Sequence, residues 1–233
     1  MTIPAVRIQI AGISSLEDAL AVERAGADAI GFTIGLPRGP HNGLDEWRAR
    51  DIIRALPPFI VPTLITYHDL AVEVIALCRT MGVQTVQLHG GAEPGQIERM
   101  RESVPGLKVI HVTGPEVIDC AAEVEPLCDA IILDSRDAKS GKTGATGLTH
   151  DWSVSAEIAR KSSRPVILAG GLTPENVAEA IEIVRPWAVD VHTGVERRDG
   201  TTDHDRVRAF VKAVRSVSSW PTPSGGNPGR ASP

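Results

Sequence analysis

Two glycine-containing segments near the C-terminal end of the chain have the composition of an anion-binding site. An apolar run ends at Gly170-Gly171 just before a helix-like segment, and a second apolar run ends at Thr193-Gly194. Glycine lets the backbone approach a ligand closely and turn at φ > 0. The N-terminus of a following helix offers unpaired N–H groups and partial positive charge. One such turn is usually an ordinary connection, but two in succession predict a phosphate site on neighbouring strands.

Titratable side chains form a second group of candidates, because many of them fall at or just after the ends of apolar runs. Asp134 is one, and five of the seven histidines are the others: His41, His68, His89, His111 and His192. An imidazole titrates close to neutral pH, so a histidine at a ligand site can act as a base. A metal site is the alternative interpretation, with ligands from His89, His111 and Asp134.

The elements that must position these residues alternate regularly along the chain. We predict strands at 6–11, 29–34, 60–66, 85–89, 108–112, 130–134, 166–169 and 188–191. The intervening helices are predicted at 16–25, 44–55, 70–81, 94–103, 116–123, 154–161, 174–184 and 203–217. Continuous runs of Val, Ile and Leu are typical of parallel strands buried on both faces.

Eight repeats of strand and helix predict an α/β protein, a single (β/α)8 TIM barrel with a closed eight-stranded parallel sheet. An open, doubly wound sheet is the alternative, but eight strands without an antiparallel edge favour closure. Because the chemistry of such barrels lies at the C-terminal ends of the strands, the candidates above are expected to meet at one rim.

The bulk composition limits the class of protein. The 233 residues suit one barrel at 1–217, and the Ser-, Pro- and Gly-rich segment 218–233 is predicted to be a disordered tail. A net charge of −5 without a basic run argues against a nucleic-acid partner. No apolar run approaches the roughly 20 residues of a membrane span, and no export signal is visible, so we expect a cytoplasmic protein without a membrane partner.

The three cysteines, Cys78, Cys120 and Cys128, lack the spacing of a metal site and fall in apolar or helical stretches. We therefore expect them to be reduced, buried and chemically inert.

Several motifs spread over the chain together resemble those of one enzyme family, the phosphoribosylanthranilate isomerases. The matching segments are Ile10-Ala11-Gly12-Ile13, Ala25-Gly26-Ala27-Asp28, Val86-Gln87-Leu88-His89-Gly90, Leu133-Asp134-Ser135, Thr143-Gly144, Leu168-Ala169-Gly170-Gly171-Leu172-Thr173-Pro174 and Gly194-Val195-Glu196. The likeness extends over essentially the whole chain before residue 218.

The resemblance implies an Amadori rearrangement of a phosphoribosyl arylamine in tryptophan synthesis. Asp134 stands where the family has its general acid. The matching motifs imply that the phosphorylated ligand is bound by Gly170, Gly171, Thr193 and Gly194. The same motifs add three further binding residues: Gly144, Gln87 and His89. The family uses no metal, and we expect no cofactor. The protein is expected to be a monomer or a homodimer acting on a small phosphorylated substrate.

The ends of the first three strands depart from the family pattern. Where the family has a cysteine as general base in a Lys-Ile-Cys-Gly motif, this chain has Ala11, and Gln9 replaces the lysine. His41 stands in the turn where the family has an arginine for the anthranilate carboxylate. Because an alanine methyl group cannot accept a proton, another residue must be the base. His192 is the preferred candidate, since it adjoins the phosphate site, and His41 and His68 are the others.

Three functions follow from this pattern. The first is a divergent enzyme that uses acid–base chemistry on another phosphorylated sugar-type substrate, as an isomerase or as a lyase or aldolase. The second is slow or residual phosphoribosylanthranilate isomerase activity, since loss of a positioned base typically costs 10²–10⁴-fold. The third is a non-catalytic phosphate-ligand-binding protein, supported only by the missing base.

Overall fold

Eight parallel strands close into a barrel, as the sequence predicts. A computed structural model describes residues 5–36, 44–89, 91–113, 125–134 and 151–217. The strands are β1 (Arg7–Ile10), β2 (Ala29–Ile34), β3 (Val61–Thr66), β4 (Thr85–Leu88), β5 (Lys108–Thr113), β6 (Ala130–Leu133), β7 (Val166–Leu168) and β8 (Ala188–Val191). Each strand pairs with the next, and β8 pairs with β1, so the sheet has no edge.

Helices cover the outside of the barrel. Those in the described ranges are α1 (Leu16–Ala25), α2 (Glu46–Arg54), α3 (Ala71–Met81), α4 (Pro94–Ser103), α5 (Trp152–Lys161), α6 (Val177–Val184) and α7 (His204–Ser216). The predicted helix at 116–123 lies outside the described residues, as does the tail at 218–233.

Local sequence signals fix several helix ends. The hydroxyl group of Ser15 accepts a hydrogen bond from the N–H group of Asp18, which caps α1, and Gly26 ends that helix in the left-handed conformation. The carboxylates of Asp45 and Asp203 cap α2 and α7 in the same way. The helix that was predicted from residue 174 begins only at Val177, because residues 174–176 form a separate turn.

The two faces of each strand are distinct. Outward side chains form the large core between the sheet and the helices. The inward side chains of β5 to β8 form a smaller apolar cluster: Ile110, Val112, Ala130, Ile132, Ile167, Ala169 and Ala188. On the opposite side of the barrel, the inward positions include the buried polar residues Gln9, Thr63 and Gln87. Buried amide and hydroxyl side chains thus occur in the part of the interior that β1, β3 and β4 form.

Cys78 and Cys128 are free and buried, as expected. Burial raises the pKa of the Cys78 thiol to about 12 and that of Cys128 to about 11, so neither forms a thiolate readily. Cys120 lies outside the described residues.

In the described part of the chain, the longest apolar helical stretch falls short of what a bilayer crossing requires.

Candidate active site

The turn after β7 holds two consecutive glycines in the left-handed conformation. Gly170 has φ 80° and Gly171 has φ 62°, values that residues with a β-carbon rarely adopt. The N–H groups of both glycines donate to no backbone carbonyl of the described residues. The predicted anion site therefore has two backbone donors at the rim of the barrel.

The turn after β8 lies directly against the turn after β7. Thr193–Val195 form one turn of 3-10 helix. A β-carbon added at Gly194 would lie only 1.9 Å from the carbonyl oxygen of Leu172. Glycine is required at position 194 because the two backbones come this close. We call the two turns, residues 170–173 and 193–195, the phosphate cup.

Two side chains hold the phosphate cup together. Asn176 accepts a hydrogen bond from the N–H group of Thr173 at 2.7 Å and donates one to the carbonyl of Gly171 at 3.0 Å. Arg206, in the first turn of α7, donates to the carbonyl of Gly194 at 2.8 Å. Its guanidinium group also binds both carboxylate oxygens of Glu175, at 3.1 and 3.0 Å. Arg206 thus joins the turn after β7 to the turn after β8.

Asp134 lies at the rim, immediately after β6. Its N–H group donates to the carbonyl of Thr113 on the neighbouring strand at 3.1 Å, which extends the sheet by one residue. Ala130 and Ile132 face the barrel interior, so the alternation of the strand directs Asp134 inward as well. The residue is only 5% exposed. The structure therefore places this carboxyl group where the sequence predicts the acid.

Tyr67 lies against His89 at the rim and is near enough to Asp134 to be affected by its charge. The rings of Tyr67 and His89 are tilted against each other with centroids 5.0 Å apart. Burial raises the pKa of the Tyr67 hydroxyl, and the negative charge of Asp134 raises it further. Tyr67 thus remains a neutral hydrogen-bond donor at this part of the rim.

Gln87 lies deeper than a ligand-binding residue would. It is 1% exposed, its Oε1 accepts a hydrogen bond from Nε2 of Gln9 at 2.8 Å, and its Nε2 lies 3.0 Å from Nε2 of His89. The motif that contains Gln87 and His89 therefore brings only His89 to the rim.

His192 lies at the end of β8 and packs on the backbone next to Ala11. A β-carbon at Gly12 would lie 2.0 Å from Nε2 of His192, so the imidazole occupies the space over that glycine. The same Nε2 lies 2.9 Å from Oε1 of Glu196, and both side chains are largely buried. The structure thus brings an imidazole–carboxylate pair to the side of the barrel where the alanine stands.

The other histidines of the sequence prediction separate in space. His68 packs over Gly35, and its Nδ1 contacts the carboxylate of Glu73 on α3 at 3.1 Å. His111 alternates with the inward residues Ile110 and Val112, so its side chain lies on the opposite face of β5, toward the helices. Burial lowers its pKa.

The alternative metal site at His89, His111 and Asp134 is wrong, because His111 faces away from the other two. Within the described ranges, no three His, Cys, Asp or Glu side chains are arranged to hold a metal ion. His41 and Gly144, which were predicted at the site, lie outside the described residues.

Sequence reasoning missed Asp190. This aspartate lies in register with Gln9 across the β8–β1 pair and is 7% exposed. Burial raises the pKa of its carboxyl group to about 6, although the nearby side-chain amides of Gln87 and Gln9 and the charge of His192 oppose that rise. An ionisable residue within an otherwise apolar strand, Ala188–Val191, was the available signal.

Glycine turns, a buried carboxyl group and an imidazole–carboxylate pair at the C-terminal rim define a class: (β/α)8 barrels built for acid–base chemistry on a small anionic molecule. Comparisons with known proteins narrow this class. Residues 65–213 match the sequence profile described as N-(5'phosphoribosyl)anthranilate (PRA) isomerase. The chain belongs to the phosphoribosylanthranilate isomerase family.

Individual relatives align with this chain over nearly their whole length. N-(5'-phosphoribosyl)anthranilate isomerase 2 of Methanosarcina mazei is 42% identical over 91% of this chain and 95% of its own. The enzyme from Haloferax volcanii is 39% identical over 91% of this chain and 94% of its own. The crystal structure of the Thermus thermophilus enzyme has 32% identity and a TM-score of 0.77, covering 91% of this chain and all (100%) of that one.

A further solved structure shows a relative with a ligand. This phosphoribosyl anthranilate isomerase is in complex with reduced 1-(o-carboxyphenylamino)-1-deoxyribulose 5-phosphate. It has 31% identity and a TM-score of 0.76, covering 91% of this chain and 99% of that chain. These relatives carry the ordinary name of the family, so the comparisons give no support to the expectation of a changed reaction.

Proposed function

We propose that this protein catalyses the isomerisation of N-(5'-phosphoribosyl)anthranilate, an aldose-to-ketose Amadori rearrangement, without a cofactor. The observation that carries the proposal is the pairing of the phosphate cup with the buried carboxyl group of Asp134 in a member of this family. A homologous structure holds a reduced form of the rearranged, phosphorylated compound, which supports the same substrate class here.

The phosphate group of the substrate would bind in the cup. Its charge faces the N–H groups of Gly170 and Gly171 and the turn at Thr193 and Gly194. Because Arg206 and Asn176 brace the cup, these donors keep their positions when the ligand leaves. The ribose would then extend from the cup across the rim toward Asp134.

Asp134 is the proposed general acid. Opening the ribose ring breaks the bond between C1' and the ring oxygen, and the nitrogen lone pair forms an iminium ion. Asp134 donates its proton to the departing ring oxygen, which becomes a hydroxyl group. Its inward position at the end of β6 suits this role, because the ribose extending from the cup would meet the carboxyl group there.

His192 is the proposed base. Removing the proton from C2' lets its bonding electrons neutralise the iminium ion and gives an enolamine, which then converts to the ketone. Because Glu196 lies at Nε2, the imidazole carries its proton there and uses the lone pair of Nδ1. The carboxylate of Glu196 lies 2.9 Å from Nε2 and can pair with the imidazolium ion that results. A base at this position compensates for the methyl group of Ala11.

The experiment measures turnover of N-(5'-phosphoribosyl)anthranilate by the unmodified protein and by His192→Gln. We expect turnover by the unmodified protein and a loss of about 10²-fold or more in the variant. His204→Gln is the matched control, because His204 forms a similar pair with Asp18 at 2.7 Å in the helical layer. Full activity of His192→Gln refutes the base assignment, and absence of turnover in the unmodified protein refutes the isomerase proposal.

A second candidate function is the same chemistry on a different phosphorylated sugar-type compound. Ala11, just after β1, and Tyr67, after β3, favour it because both stand at strand ends where this chain departs from the family motifs. A panel of phosphoribosyl amines separates the two functions by the ratio of their kcat/KM values. Phosphate binding without turnover of any compound would instead indicate the non-catalytic binding protein. Monomer or homodimer stays a prediction for the oligomeric state.

A further inference from the structure

Three side chains are linked by successive hydrogen bonds from the barrel interior to the rim. Nε2 of Gln9 donates to Oε1 of Gln87 at 2.8 Å, and Nε2 of Gln87 lies 3.0 Å from Nε2 of His89. Gln9 is 6% exposed and Gln87 is 1% exposed, so water does not compete for these bonds. We call these three residues the amide relay.

Within the amide relay, Gln87 accepts a hydrogen bond from Gln9 and donates one to His89. Since Oε1 of Gln87 accepts from Gln9, its NH2 group must face His89. An amide nitrogen donates but does not accept. Nε2 of His89 must therefore be the acceptor, which places the proton of a neutral imidazole on Nδ1.

Asp190 prevents the relay from reversing. Its carboxylate lies beside Gln9 in the barrel register, where the side-chain amides of Gln87 and Gln9 favour its ionised form. An ionised carboxylate only accepts hydrogen bonds. Turning both amides around would direct their oxygens at the carboxylate, which is unfavourable in a buried site. Asp190, inside the barrel, thus sets the orientation of the two glutamine side chains.

We propose that Gln87, held by Gln9 and Asp190, is a positioning residue that keeps His89 as the neutral imidazole with its proton on Nδ1. This role rests on the proposed function, because it concerns the ligand site of that reaction.

The physical benefit concerns the acid. The ring of Tyr67 contacts His89, and Tyr67 also responds to the charge of Asp134, so the three groups share one part of the rim. An imidazolium ion there would favour the ionised form of a neighbouring carboxyl group, which then has no proton to donate. A histidine fixed in its neutral form avoids that penalty.

The test is nitrogen NMR of protein labelled with ¹⁵N-histidine, because the two imidazole tautomers give distinct nitrogen signals. His89→Gln assigns the signal. In the unmodified protein, without any ligand, we expect the pattern of a neutral ring protonated at Nδ1. Gln87→Glu replaces the donor with a carboxylate acceptor and should move the proton to Nε2. Gln84→Glu is the matched control, since Gln84 adjoins the same strand but donates to the Pro105 carbonyl at the surface.

A second variant protects the test against misfolding of Gln87→Glu. Gln9→Leu removes the donor to Gln87 while keeping an inward side chain of similar size, and it should produce a mixture of both tautomers. An Nε2-protonated ring in the unmodified protein, or an unchanged signal in both variants, overturns the proposal.

Activity gives an independent reading. Gln87→Glu disturbs the protonation of His89 in the part of the rim that holds the acid, so it should lower kcat by about 10²-fold and change KM little. If the unmodified protein does not turn over N-(5'-phosphoribosyl)anthranilate, the proposed function fails, and the NMR signal still decides whether the relay exists.

Discussion

Replacing Gly194 with alanine tests the phosphate cup with a single methyl group. The added β-carbon would lie 1.9 Å from the carbonyl oxygen of Leu172 and 3.1 Å from Cγ2 of Val191. A carbon and a carbonyl oxygen normally approach no closer than about 3.3 Å. The turns after β7 and β8 must therefore separate by more than about 1 Å.

The structure also sets the size of the effect. Asn176 and Arg206 hold the two turns in place, so the strain is not absorbed by a free loop. Forcing an extra methyl group into a packed site costs about 1–3 kcal/mol of unfolding free energy. A misplacement of about 1 Å in binding groups lowers catalytic efficiency on the order of 10²-fold.

The assays are urea unfolding, titration with inorganic phosphate, and kcat/KM for N-(5'-phosphoribosyl)anthranilate. Gly91→Ala is the matched control, since a β-carbon there meets no atom within 4 Å. We expect weaker phosphate binding and lower stability for Gly194→Ala only. Equal phosphate affinity and equal unfolding midpoints for the unmodified protein and Gly194→Ala would refute the reasoning.

Three further predictions concern single side chains. Asp134→Asn should bind phosphate normally but lose more than about 10²-fold in kcat; retained kcat would contradict its role as acid. Burial raises the pKa of Asp190 from 3.8 to about 6, so the folded state holds its proton more tightly than the unfolded state. The unfolding free energy should therefore fall between pH 4 and pH 7, by up to about 3 kcal/mol relative to Asp190→Asn; parallel pH curves for the two proteins would contradict this. Arg206→Met should raise KM and the dissociation constant of phosphate, because Arg206 braces the cup. Arg208→Met, which loses a surface pair with Asp205, should change neither value. Equal KM values for the two variants would show that Arg206 does not support phosphate binding.

Much of the fold follows from the sequence because the strands are continuous apolar runs. Eight of them, each followed by a turn signal, leave a closed parallel barrel as the simplest arrangement. The cup was also predictable, since Gly170, Gly171 and Gly194 are required by positive φ angles and by a close backbone approach. Position 134 was predictable because it ends an apolar strand.

The direction of individual side chains was not predictable. When both faces of a strand are buried, the apolar pattern does not distinguish inward from outward positions. His111 was therefore expected at the rim but faces the helices, and Gln87 was expected to bind ligand but hydrogen-bonds inside the barrel. Asp190 was missed for a related reason: its environment depends on Gln9, which is distant in sequence and adjacent in register.

The most direct test is steady-state conversion of N-(5'-phosphoribosyl)anthranilate to its ketose isomer, followed by mass-spectrometric identification of the product, for the unmodified protein and for Asp134→Asn. We expect the unmodified protein to accelerate the reaction by at least about 10⁶-fold over the uncatalysed rate, despite Ala11. We expect Asp134→Asn to lose more than about 10²-fold of that rate. No product above the uncatalysed level with the unmodified protein, or equal rates for the two proteins, would contradict the account.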